Sequence, residues 1–404
     1  MKVVEVNYTD LPGRIFNGYD LHLELNKRGI YATQNVLHKL SNIGTVYEII
    51  KDPLVQMQLE EYEKINQISH LIYPNAAIFE RMKNVKEADL IHYHIIHNHM
   101  FSLYDYELLM NSHRSIWTIH DPWILTGDCI YPLTCDKWKN GCENCINTDG
   151  YGYAAKPDNT HFMWEMKKEL LKSINPHIVV SCGFMKEYIQ NSPLTKHFKQ
   201  IHTIPFGVKL DDKEKKKGED KDFFSIDKKD IVIAFRAEEG SIKGGKYICD
   251  ALRNLNIEGH ITIITVGSAK MPDDIHRKYN VIELGWVNDD ILMKRFWNVV
   301  DVFIMPSLAE SFGLMAIEAM AQRCAVVCFK DTTVEEITDA PECGVAADYA
   351  SALSLEQKLT DLIQNKDEII YRSNLGRKIV ESKYRFDMYV DRHIELYKEV
   401  MMEK

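Results

Sequence analysis

The chain has 404 residues, 45% hydrophobic and 27% charged, a composition that excludes a disordered polymer and a length that suits two domains. Its 49 Lys and Arg against 59 Asp and Glu leave a formal charge of -10, which argues against nucleic acid as the main partner. No run of about 18 apolar residues is present, and MKVVEVNYTD lacks the charged lead and long apolar stretch of a secretory signal. The expectation is a cytoplasmic protein whose nine cysteines are thiols or metal ligands rather than disulfides.

In chain order, short apolar runs at 3–6, 45–50, 89–94, 115–120 and 177–182 read as buried strands, with helical patterns at 53–70, 102–111 and 161–174 between them. The early loop carries Gly13, Arg14 and Gly18 after the first strand. The tract His92-Tyr93-His94-Ile95-Ile96-His97-Asn98-His99 begins inside a strand, where alternation puts His92 and His94 on one face. No carboxylate or cysteine is interleaved with it, so a metal site is the weaker reading and a strand end facing a cleft between domains the stronger one. Cys129, Cys135, Cys142 and Cys145 place four thiols within seventeen residues, closing with C-x2-C. They could supply a tetrahedral structural zinc or stay four reduced thiols. Cys182, Cys249, Cys324, Cys328 and Cys343 sit in apolar surroundings and read as core filling.

The run 211–222 is almost wholly charged and reads as a solvated loop. Strand–helix alternation resumes with 231–235, 260–266, 281–284, 302–305 and 325–329, and a helical segment over 386–402 closes the chain. Such alternation predicts doubly wound parallel sheets. The domains are taken as 1–205 and 206–385, with helix 386–402 packing back on the first.

The stretch 303–321 is the most informative. A buried strand ends at Pro306, a loop carries Glu310, and a helix begins near Gly313. Ligands of open parallel sheets bind beyond the carboxyl ends of strands, and the free amides of a helix start suit a phosphate. Glu318 lies in an otherwise apolar helix, where an unpaired carboxylate is costly. Ribose hydroxyls would satisfy it; a nearby cation would do so equally, and Glu310 could be a plain cap.

Pro306-Ser307, Glu310-Ser311-Phe312-Gly313-Leu314 and Glu318-Ala319-Met320-Ala321 together resemble the E-x7-E signature of the retaining glycosyltransferases of family 4. The resemblance implies the GT-B fold, two Rossmann-like doubly wound α/β domains facing across a cleft. It implies that Glu310 contacts the donor sugar, that the amides of Phe312, Gly313 and Leu314 hold a diphosphate, and that Glu318 binds the ribose. Arg236 and Lys243-Gly244 match the family's diphosphate-clamping cations, although Phe235 stands where Gly is usual. Gly267 and Gly285-Trp286 fall where the family has glycines near the base, and His120 matches its donor-sugar histidine. Gly13 and Gly18 stand where related enzymes have a Gly-rich loop against the donor phosphate. His94 and His97 are expected on the acceptor side. His120-Asp121-Pro122-Trp123 and the cysteine segment resemble a subgroup acting in colanic-acid-like surface polysaccharide assembly.

The implied activity is retaining transfer of a hexose from a nucleotide diphosphate sugar to a glycan or lipid-linked acceptor, with peripheral membrane contact where the acceptor is lipid-linked. No cofactor is required for catalysis; the D-x-D at Asp220 and Asp222 falls in the charged run. An epimerase, a phosphorylase or a non-catalytic sugar-nucleotide-binding protein of the same fold are the alternatives. A dinucleotide dehydrogenase ranks below them, since no G-x-G-x-x-G follows a strand.

Overall fold

A computed structural model describes residues 1–66, 68–145, 158–210, 216–240, 242–257 and 260–403. The chain divides into two compact units, Met1–Phe206 with Asp387–Lys404, and Gly207–Phe386. Among the described residues, no helix is long and apolar enough to cross a membrane.

The first unit holds a parallel sheet of β1 (Lys2–Thr9), β2 (Tyr31–His38), β3 (Val46–Glu48), β4 (Leu90–Tyr93), β5 (Ser115–Thr118), β6 (His177–Val180) and β7 (Ile201–Thr203). Its order is β3-β2-β1-β4-β5-β6-β7, so the winding reverses between β1 and β4. Val3, Val4, Val6, Ile91 and Ile116 are buried, the continuous apolar run expected of strands covered on both faces. The helix Phe386–Met402 brings Tyr397 into this core, where its hydroxyl donates to Glu5 at 2.8 Å.

The second unit holds β8 (Ile231–Arg236), β9 (Ile261–Val266), β10 (Asn280–Glu283), β11 (Val302–Met305), β12 (Ala325–Phe329) and β13 (Val345–Ala347). Their order is β10-β9-β8-β11-β12-β13, again fully parallel, with the reversal between β8 and β11. Ile233, Phe235, Ile304 and Val327 join Ile248 and Leu252 of the Gly245–Asn254 helix in one apolar core.

Several expectations are corrected. β2, β7 and β13 lie outside the predicted strands; β2 carries buried Thr33, Gln34 and Asn35, and β7 and β13 are three-residue edge strands. The strands β4 and β5 stop at Tyr93 and Thr118, which leaves His94 and His120 just past their carboxyl ends. Of the charged run, 211–215 lies outside the described residues, and 219–224 is a 3-10 turn that buries Asp220 and Lys221 instead of a solvated loop. Lys221 explains this burial: its ammonium donates to the Asp230 carbonyl at 2.6 Å, so the charge is satisfied by a backbone oxygen.

Candidate active site

In the second unit, the site is built where ligands of doubly wound sheets bind, past the carboxyl ends of the two strands that flank the reversal. Arg236 ends β8 and Lys243 follows in its loop; Glu310 lies in the loop after β11. The loops are pinned together: Leu308 N–H donates to the Ile242 carbonyl at 2.7 Å. Gly244, at φ 76, presses so close that a Cβ there would sit 2.1 Å from the Pro306 oxygen, which only glycine tolerates. The result is an ion pair, Lys243 Nζ to Glu310 Oε1 at 2.6 Å, with Ser307 Oγ donating to the same oxygen at 3.0 Å. Thr333 Oγ1 donates to the Glu310 carbonyl at 2.7 Å and holds the loop.

Gly313, at φ 97, opens the helix Leu314–Ala321 without a side-chain cap, so the first amides of that helix are not claimed by a capping oxygen. Phe312 is buried with its ring against Tyr384, and its position fixes the turn. Further along the same helix, burial pushes the Glu318 carboxyl up to about 7, and the nearby Arg236 guanidinium opposes part of that rise. Arg236 also pairs with Glu238 and lies over the exposed ring of Trp286, 5.4 Å from its centroid. Gly267 N–H donates to the Gly285 carbonyl at 2.8 Å, and a Cβ on Gly267 would meet the Ala237 oxygen at 2.2 Å. The structure thus pairs Lys243 with Glu310 and Arg236 with Glu238, and leaves Glu318 on the helix without an ion-pair partner but within the electrostatic reach of Arg236.

In the first unit, β1 and β4 flank the reversal, and a chain of buried polar groups runs from them to His120. Glu5 on β1 is fully buried and accepts from His94 Nε2 at 2.7 Å and Tyr397 Oη at 2.8 Å, while His92 Nδ1, 3.0 Å from the carboxylate, is hydrogen-bonded to Tyr397 Oη at 2.7 Å. Burial alone would raise this carboxyl; the His92 and His94 imidazoles overcome it and hold it well below the ordinary range. His94 Nδ1 lies 3.1 Å from His120 Nε2. Burial, with the neighbouring His92, pulls His94 down to about 4, and burial with His94 pulls His120 well below the usual value, so both rings are neutral near pH 7. His120 is half-buried and stacks on Phe206 with ring centroids 5.7 Å apart; Phe16 lies 5.7 Å away. No carboxylate is interleaved within the histidine tract, and Glu5 supplies one from the neighbouring strand β1.

Gly18, at φ 85, caps the helix Tyr19–Lys27, and a Cβ there would lie 2.7 Å from His94 Nε2. Gly13, at φ 70, has the Phe16 ring folded onto it. Arg14 pairs with Asp20 at 3.0 Å. His97 departs from the His94 chain: it pairs with Asp121 at 3.2 Å and stacks on Trp123 at 4.7 Å.

Residues 228–365 match the family described as glycosyl transferases group 1. The chain carries a glycosyl transferase group 1 domain. Among curated relatives, it is 26% identical over 103 residues to WcaC of Escherichia coli K12, whose name assigns that protein to colanic acid biosynthesis as a glycosyl transferase; the match spans 24% of each chain. The chain covers only 24–48% of the lengths of the curated relatives it matches. Among solved structures, the sucrose-phosphate synthase of Thermosynechococcus elongatus superposes with a TM-score of 0.72 at 15% identity, over 99% of both chains. HepE of Anabaena, solved with UDP and glucose, gives 0.66 at 14% identity over 99% of this chain and 100% of its own. The fold is that of the GT-B glycosyltransferases.

The glycosyl transferase domain accounts for Arg236, Lys243, Glu310, Phe312, Gly313, Leu314 and Glu318, which all fall inside the matched segment. Thr333, which acts through a distant carbonyl, escaped sequence reasoning, and Ser307 was visible only as part of the matching stretch, not as a partner of Glu310. Glu5 carried a visible signal, a lone acid in an apolar strand.

Outside that domain, the four cysteines form no disulfide and line one small pocket with Trp138 and Thr160. Gly127 N–H donates to Cys142 Sγ at 3.1 Å. Burial pushes the Cys129 thiol up to about 12 and that of Cys142 up to about 11. The buried Lys167, its ammonium donating to the carbonyls of Trp123, Thr126 and Gly127, lies beside them. Among the described residues, the acid and histidine groups whose ligand atoms fall within 4.8 Å of one another are Glu5 with His92 and His94, and Glu63 with His70 and His99; no three of the thiols meet that distance.

Proposed function

We propose that the chain is a retaining glycosyltransferase that moves a hexose from a UDP- or GDP-sugar to a glycan or lipid-linked glycan in surface polysaccharide synthesis. The observation that carries this reading is the Lys243–Glu310 pair at 2.6 Å, held beside an uncapped helix start at the sheet's reversal. The WcaC name and the UDP bound by HepE support the substrate class.

In this reading Lys243, Arg236 and the amides of Gly313 and Leu314 take the diphosphate, and Glu318 takes the ribose hydroxyls. Glu310 and His120 contact the donor sugar. The bond between the anomeric carbon and the β-phosphate oxygen breaks, its electron pair stays on the phosphate, and the acceptor oxygen bonds to the same face of the sugar. The acceptor proton passes to the departing phosphate, so no protein base is needed. Positive groups already aimed at the diphosphate lower the barrier by meeting charge as it develops. The D-x-D plays no part: its central Lys221 packs beside Asp230 and Asp301, at the amino ends of β8 and β11 and opposite the site.

Two further parts of the reading concern the first unit. Cys129, Cys135, Cys142 and Cys145, which line one pocket, would hold a structural zinc as thiolates, and the metal would brace that segment. The helix Pro53–Asn66 buries Gln56 and Glu63 while Leu54, Met57, Tyr62 and Ile65 are exposed, an inverted pattern that suits peripheral contact of a cytoplasmic enzyme with a bilayer.

The test is thermal-shift titration with UDP, GDP, UDP-glucose and GDP-mannose. A ligand at a hundred times its Kd stabilises by about 2.7 kcal/mol. The reading fails if no nucleotide raises the melting temperature, or if Lys243→Ala and Glu318→Gln bind as tightly as the parent.

A further inference from the structure

His120 has two ring nitrogens, and a neutral imidazole carries its proton on only one of them. Which one is decided by what the other nitrogen meets. The polarity can be followed from the buried end. Glu5, on which His94 and the Tyr397 hydroxyl converge beside the His92 ring, is ionised and can only accept, so His94 must donate from Nε2 at 2.7 Å. A neutral His94 protonated at Nε2 has a bare Nδ1, which can only accept. His120 must then donate from its own Nε2 across the 3.1 Å gap, leaving its Nδ1 bare. Among the described residues, His120 makes no other hydrogen bond.

We infer that Glu5 and His94 are positioning residues that lock His120 as the Nε2–H tautomer, so that its Nδ1 is presented as a hydrogen-bond acceptor for a hydroxyl of the donor sugar. The sugar contact rests on the function proposed above; the tautomer lock does not. The opposite tautomer would set two lone pairs against each other at the His94–His120 contact and leave no donor between them. That disfavours it by roughly tenfold or more.

The surroundings are built for this chain. Glu5 is held from its other side by Tyr397, and His92 fills the remaining space while its Nε2 contacts Thr118 Oγ1 at 2.7 Å. Gly18 lacks the Cβ that would strike His94 Nε2. Phe206 and Phe16 flank the His120 ring and restrict its rotation. A ring so restrained cannot swap nitrogens by flipping without breaking the His94 contact.

The experiment is long-range 1H–15N correlation NMR of the full chain labelled with 15N-histidine, with His120→Gln to assign the signals. In the parent, His120 and His94 are each expected as at least a tenfold excess of the Nε2–H form near pH 7. In His94→Leu the His120 signal becomes a mixture of tautomers; His94→Asn, whose amide oxygen can stand near the lost Nδ1, restores the excess. A parent His120 protonated at Nδ1, or a His120 signal unmoved in His94→Leu, overturns the inference. Titration of the same variants with UDP and UDP-glucose tests the sugar contact separately: His94→Leu should lose the sugar's contribution to binding and keep that of UDP. Equal loss for both ligands, with the tautomer result intact, would sink the sugar contact and leave the lock standing.

Discussion

Glu318 offers a sharp test of the electrostatics of the candidate site, because it needs no ligand. Replacing it with Gln keeps the shape and removes the titration. The parent carboxyl is raised from 4.5 to about 7 by burial, despite the opposing guanidinium of Arg236. A raised acid means that the folded chain holds the proton more tightly than the unfolded one. Stability is therefore fully present below pH 4.5 and is lost as pH climbs to about 7, after which the loss stays constant. The interval corresponds to about 3 kcal/mol, and to roughly 2 kcal/mol once the residue's partial exposure is discounted. For a unit of this size that is roughly 4–8 °C in melting temperature. Melting both proteins by calorimetry from pH 4.5 to 8.5 reads the difference directly: Glu318→Gln should gain on the parent across the window and run parallel above it. A gap that does not change with pH would mean that Glu318 is not buried away from water, and the account of the helix would be wrong.

Other perturbations report on separate features. Lys243→Ala should weaken UDP binding by about 10–100-fold by calorimetry, whereas Glu310→Gln, which frees Lys243, should leave it equal or tighter while transfer falls about a hundredfold. Gly244→Ala must place a Cβ 2.1 Å from the Pro306 oxygen at φ 76, so a loss of about 2–4 kcal/mol in the second unit's unfolding is expected, and an unchanged melt would refute the close approach. Purified protein should carry about one zinc per chain by elemental analysis, lost together with melting temperature in Cys142→Ser; a metal-free parent of full stability would end that reading. Flotation with phosphatidylcholine vesicles should recover the parent and not a Leu54→Glu, Ile65→Glu double variant; equal recovery would remove the helix Pro53–Asn66 from membrane contact.

The two sheets were readable because parallel strands covered on both faces appear as unbroken apolar runs, as in Ile231–Arg236 and Ala325–Phe329. β2 escaped for the converse reason: Thr33, Gln34 and Asn35 are buried by hydrogen bonding, and hydropathy cannot see a partner that lies distant in the chain. The buried Lys221 was hidden in the same way, its composition pointing to solvent while a backbone oxygen satisfied it. At the site, spacing along one short strand–loop–helix stretch exposed Glu310 in the loop and Glu318 in the helix that follows it. Pairings across the sheet were out of reach. Glu5 and His94 are 89 residues apart, and no local pattern joins a lone acid in β1 to a histidine after β4.

The charge balance around the helix start bears on why an acid with a raised pKa belongs there. Lys243 is matched by Glu310 and Arg236 by Glu238, which leaves Glu318 as the surplus negative charge. Fully ionised, it would stand against an incoming diphosphate, and the low-dielectric surroundings would strengthen that repulsion. Burial in the apolar helix Leu314–Ala321 brings its titration close to neutrality, so the surplus charge is the one most readily cancelled by a proton. The paired cations avoid mutual repulsion while the site is empty, and a diphosphate can outcompete a single carboxylate for Lys243 because it brings more charge. Glu310, once released, has an oxygen free for a hydroxyl. Under the proposed function, an arrangement of this kind would make the sugar contact available only after the phosphates had arrived.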